Sequence, residues 1–99
     1  TLGPVATFAI GKPATIESVV YVLGEAGIDG ATLYQATGLW KGKTEPTVVV
    51  QIAGLPWDRA KYVAARLAYV FAQEAVYLAY AGESGEKSVL VGPLVGADE

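Results

Sequence analysis

Two stretches of helical spacing, each enclosed by short β-branched or alternating runs, constrain the fold of this chain more than any other feature. Ile16, Val19, Val20 and Leu23 recur at the spacing of one helix face, as do Trp57, Ala60, Ala64, Leu67 and Phe71. Around them, Val5–Ile10, Ala31–Trp40, Thr47–Ala53 and Ala75–Tyr80 read as strands, and Thr47–Ala53 is the strongest of these because it is rich in β-branched residues. In Ala75–Tyr80, alternation puts Ala75, Tyr77 and Ala79 on one side and Val76, Leu78 and Tyr80 on the other. Ser88–Val91 adds a short fifth strand, hairpin-paired with the fourth at an edge.

The order β-α-β-β-α-β with an added strand predicts an α+β fold. Two split β-α-β units close as a ferredoxin-like plait, an antiparallel sheet with both helices on one face. Right-handed crossovers leave few alternatives. The other face is then uncovered and would carry apolar side chains from Val48-Val49-Val50.

Local signals mark the boundaries. Thr15 suits the N-cap of a helix over 15–26, Glu17 suits its positive end, and Gly27 closes it. Asp29-Gly30 makes a turn. Gly42 and Thr44–Pro46 form the connection of an antiparallel hairpin between the second and third strands. Pro56 belongs near the first turn of the second helix, with Asp58 at its positive end. Ala81–Glu86 reads as a polar turn. The chain divides into one domain, residues 1–95, and a polar tail, 96–99.

With 99 residues and 53% apolar content, much apolar surface cannot be buried within one copy, so some of it is expected to cover a homo-oligomer interface. The formal charge of −3 carries no clustered basic face, which argues against broad nucleic-acid or anionic-membrane binding. There is no His, Cys or Met, which removes disulfides, thiolate nucleophiles and Cys-based metal sites; no metal and no cofactor is expected. No apolar run reaches the ~18–20 residues that span a bilayer. Thr1 is not followed by a basic and then an apolar segment, so no signal peptide is expected and the cytoplasm is the default compartment.

The chemistry-bearing stretch is Leu39–Val48, where Trp40 lies beside Lys41 and Lys43. Trp40 offers a stacking surface and the two lysines offer charge to a phosphate or carboxylate; Lys12, just before the first helix, offers more. The plainer reading has Trp40 packed in a subunit interface and the lysines guarding a sheet edge. Glu45 and Glu74 are the acids closest to apolar strand boundaries, a pair suited to acid–base work if brought together. Tyr34, Tyr62, Tyr69, Tyr77 and Tyr80 fit a cleft, and more simply an interface or the core. No residue is assigned a catalytic role.

The stretch Trp40-Lys-Gly-Lys-Thr-Glu45, between two strands, resembles the Trp-x-Gly-x-x-Glu hairpin of CutA-type proteins, which belong with the PII-like group of ferredoxin-like trimers. The resemblance implies trimeric assembly and ligand clefts between subunits. CutA-type chains carry a Cys-containing segment before this hairpin, and Ile28–Thr32 here has no Cys.

The first reading is therefore a small oligomeric, non-enzymatic binding module, its ligand an anionic or nucleotide-like small molecule held by Trp40, Lys41, Lys43 and Lys12 at subunit clefts. The second is a structural or protein-interaction oligomer, of viral or mobile-element origin, with no small ligand. An enzyme using Glu45, Glu74 or a tyrosine comes third, because histidine, the common proton shuttle near pH 7, is missing.

Overall fold

The computed structural model describes residues 3–82 and 85–93. Its elements run β1 (Val5–Gly11), α1 (Ile16–Glu25), β2 (Thr32–Trp40), β3 (Lys43–Ala53), α2 (Trp57–Val70), β4 (Val76–Gly82) and β5 (Gly85–Val91). Among the described residues the strands form one sheet of order β2-β3-β1-β4-β5, antiparallel throughout. The first four strands make the ferredoxin-like plait, and β5 extends it beside β4. The tail 96–99 lies outside the described residues.

Local chemistry sets the helix ends. Ser18 N–H donates to Thr15 Oγ1 at 3.1 Å, and Thr15 N–H donates to Ser18 Oγ at 2.9 Å, so two donors without helical partners are satisfied reciprocally at the start of α1. At its end Ile28 N–H reaches back to the Leu23 carbonyl at 2.9 Å and Gly27 N–H to the Gly24 carbonyl at 3.0 Å. That pattern requires a left-handed residue after the last turn, and Gly27 supplies it with φ +83°. Pro56 stands at the N-cap of α2, where its missing N–H leaves nothing unpaired.

Register sorts the sheet's two faces. One transverse row, Leu33–Val50–Phe8–Leu78–Val89, crosses all five strands on the helix side. Val50, Phe8 and Leu78 in its centre are fully buried, packed with Val19, Val63, Ala64 and Leu67 from the helices. The next row, Tyr34–Val49–Ala9–Tyr77–Leu90, lies on the opposite face. Among the described residues no helix covers that face, and Tyr34, Tyr77 and Leu90 are exposed on it. Of the valine triplet only Val49 points there; Val48 and Val50 belong to the core, since successive strand side chains alternate.

The β2–β3 connection is tighter than the sequence suggests. It is the two residues Lys41-Gly42, both with positive φ (+52° and +79°), and Thr44–Pro46 lies within β3. Pro46 is tolerated because it sits beyond Thr47, the last β3 residue paired with β1, where among the described residues β3 has a strand neighbour on its β2 side alone. β5 likewise starts at Gly85, ahead of Ser88, because the β4–β5 pairing continues down to Gly82↔Gly85. Among the described residues no helix is long and apolar enough to cross a membrane.

Candidate ligand site on the open face of the sheet

Glycine and alanine at the centre of a sheet leave a hollow where larger side chains would stand, and the open face has such a run near its β2–β3 end. Ala9 and Gly11 of β1 and Gly38 of β2 floor a cavity of about 400 Å³, within the usual range for a small-molecule site. Trp40, Tyr77 and Leu90 supply its apolar walls; Glu45, Thr47 and Glu74 supply polar groups. The two glycines are occupied by neighbours. A Cβ on Gly11 would stand 2.6 Å from Glu45 Oε2, and one on Gly38 would collide with Thr47 Oγ1. Small residues here thus seat a carboxylate and a hydroxyl flat against the sheet.

The loop between α2 and β4 forms the remaining side. Gln73 ties it to the end of β1: its Oε1 accepts from Gly11 N–H at 3.1 Å, and its Nε2 donates to the carbonyls of Lys12 at 2.9 Å and Phe71 at 3.1 Å. The loop leaves α2 through Ala72 at φ +53°, where Gln73 N–H donates to the Ala68 carbonyl at 2.8 Å and Ala72 N–H to the Tyr69 carbonyl at 3.3 Å, the backbone pattern that ends a helix on a left-handed residue. Glu74 follows immediately, at the cavity wall.

Of the residues singled out in the sequence, Trp40 lines the cavity. Lys41 stands at its rim and pairs with Glu74, Nζ to Oε1 3.1 Å, while its ammonium lies 5.7 Å from the Trp40 ring centroid. Lys43 and Lys12 are exposed and are not among the cavity-lining residues; Lys12 contributes through its backbone carbonyl. Glu45 and Glu74, far apart in sequence, meet on the same cavity with Tyr77. Sequence reasoning passed over Gln73 as a clamp and Gly11 and Gly38 as seats; the available signal was glycine inside strand patterns, which marks close approach of another group. Among the described residues Glu45 has no cation partner, and no three His, Cys, Asp or Glu side chains cluster as a metal site would need.

A second, shallower hollow of about 460 Å³ runs along β1, β4 and β5 between Thr7, Tyr77, Ala79 and Ser88. It shares Tyr77 with the first and lies on the same face.

No family model matches this chain, and no curated protein matches it. Solved structures do. A phage SAM lyase in its apo state superposes with a TM-score of 0.74 at 22% identity, over 95% of this chain and 92% of that one. A phage SAM lyase in complex with S-methyl-5′-thioadenosine gives 0.73 at 22%, over 91% and 89%. At this identity the likeness shows a shared fold, extending over nearly the full length of both chains. The Bacillus subtilis GlnK–ATP complex aligns over 91% of this chain and 85% of that one, but with a TM-score of 0.40 at 19% identity, too low to carry an argument. None of these three is a CutA-type protein.

Proposed function

We propose that this protein binds S-adenosylmethionine in the Glu45–Glu74 cavity and cleaves it to S-methyl-5′-thioadenosine, acting as a self-associating SAM lyase. The observation that carries the reading is a pair of carboxylates beside two aromatic rings, Trp40 and Tyr77, in one small cavity. That is the donor set for a ligand with a flat base and a positive sulfur: rings stack on the purine, and carboxylates and indole attract the sulfonium. The fold shared with phage SAM lyases supports it, and it moves an enzyme from the last of the sequence-based readings to the first.

Cleavage breaks the bond between the sulfonium sulfur and the γ-carbon of the aminobutyryl chain, with the electron pair going to sulfur. The substrate's own α-carboxylate bonds to that carbon, so that homoserine lactone leaves beside the neutral thioether. The sulfur loses its charge in that step. A carboxylate beside it therefore binds substrate more strongly than the transition state or the neutral thioether product, and its main contribution is to capture substrate and release product. An anionic ligand held by Trp40, Lys41, Lys43 and Lys12 is the alternative; it is less supported, because the cavity is lined by acids and Lys41 is engaged with one of them.

Self-association, with a trimer favoured, rests on the open face. The middle of that face carries the uncharged Val5, Thr7, Ala9, Val49 and Gln51, and Glu45 of β3 stands toward its β2–β3 hairpin end, where the cavity opens. A second copy laid there would wall in the ligand. The same surface supports the second reading, an assembly protein without a ligand.

Incubation of purified protein with S-adenosylmethionine, followed by chromatography, is expected to release S-methyl-5′-thioadenosine, with Glu45→Gln and Glu74→Gln raising KM more than they lower kcat. Native mass spectrometry is expected to give a trimer retaining the thioether. A trimer with no turnover and no retained ligand would favour the assembly protein, and a monomer would remove both oligomeric readings.

A further inference from the structure

Lys41 occupies a position in its turn that lysine does not favour. A two-residue hairpin with positive φ at both positions prefers Asn, Asp or Gly at the first, yet Lys41 holds φ +52° ahead of Gly42 at +79°. A residue kept in a disfavoured conformation points to a use for its side chain. That side chain leads back over the cavity rim, where its ammonium stands 3.1 Å from Glu74 Oε1, 3.5 Å from Oε2, and 5.7 Å from the Trp40 ring centroid.

A carboxylate and an indole face converging on one ammonium form the set that recognises an organic cation. Here the cation belongs to the chain itself. We propose that Lys41 is a tethered stand-in for the ligand's positive charge, and that a cationic ligand enters by displacing its ammonium from Glu74 and Trp40. The inference rests on the sulfonium-binding reading and adds a specificity-determining residue to it. Both partners are about two-thirds exposed, so the plug is weak and exchanges readily. A charged ligand replaces the ion pair and bears the cost of breaking it, whereas a ligand with a neutral sulfur leaves the Lys41–Glu74 pair in place and is indifferent to its removal. Lys43, two residues on, has no ion pair among the described residues and serves as the internal control.

The test uses two ligands that carry the same α-ammonium and α-carboxylate and differ in charge at the sulfur position alone: sinefungin, with a protonated amine on carbon there, and S-adenosylhomocysteine, whose thioether sulfur is uncharged. Lys41→Asn removes the charge while suiting the turn, so the hairpin is retained. Calorimetric titration of the intact protein is expected to show sinefungin binding about two- to five-fold tighter in Lys41→Asn, the range an exposed ion pair implies. S-adenosylhomocysteine is expected to bind unchanged, and Lys41→Arg and Lys43→Gln to keep wild-type affinities for both. If Lys41→Asn leaves sinefungin unchanged or weaker, or shifts both ligands equally, the plug is overturned while the binding site stands. If the wild-type protein binds neither ligand, the sulfonium reading itself falls, and the plug with it.

Discussion

The carboxylate of Glu45 lies on the backbone of Gly11, so close that a β-carbon at position 11 would come within 2.6 Å of its Oε2. Glu45 on β3 and Gly11 on β1 share the open face through neighbouring register positions, Gly11 standing opposite Thr47. The cavity thus owes one carboxylate's location to the lack of a side chain on the next strand.

Gly11→Ala should move that carboxylate without unfolding the sheet. Gly11 has no positive φ that an alanine would strain, and the clash is with the mobile end of a glutamate. Affinity for the sulfonium ligand is expected to fall about tenfold, ~1.4 kcal/mol, with thermal unfolding altered by less than about 1 kcal/mol. Calorimetric titration beside differential scanning calorimetry measures both; a variant that unfolds easily but binds normally would contradict the account.

Gln73→Leu removes three hydrogen bonds and strands the largely buried N–H of Gly11. A loss of about 1–3 kcal/mol in stability is expected, with faster amide hydrogen exchange at Gly11 seen by NMR. Gln73→Glu keeps the acceptor for Gly11 but loses both donors, so its Gly11 amide should remain protected. Equal exchange in the two variants would mean that Gln73 does not anchor β1.

Tyr80 is buried on the helix side, and its hydroxyl donates to the Leu55 carbonyl at 2.7 Å while its ring meets Trp57 edge-on at 5.1 Å. Tyr80→Phe keeps the ring contact and deletes the bond, and should cost about 1–2 kcal/mol in urea unfolding. An unchanged midpoint would indicate that another donor serves the Leu55 carbonyl.

The plait itself was legible because its information is local and periodic. Helix-spaced apolar residues in Ile16–Leu23 and Trp57–Phe71, alternation in Ala75–Tyr80, the Thr15 cap and Gly27 each report on a few consecutive residues, and right-handed crossover leaves little choice in joining them. The hairpin was harder. Pro46 reads as a strand breaker until it is known that β3 lacks a neighbour on one side there, and only sheet register carries that fact.

The site was legible only in fragments. Trp40, Lys41, Glu45 and Glu74 stood out as residue types, but the loop chemistry suggested an anion held by lysines. Lys41 instead faces Glu74, 33 residues away, and two acids share the cavity. Sequence by itself determined which segments become helix and strand and which faces they bury, because propensity, capping and periodicity act over a few bonds. The tertiary structure decided which charges meet. Side chains far apart in sequence are brought together by strand order and register, and Coulombic forces depend on distance in space, so the sign of the cavity follows from the fold.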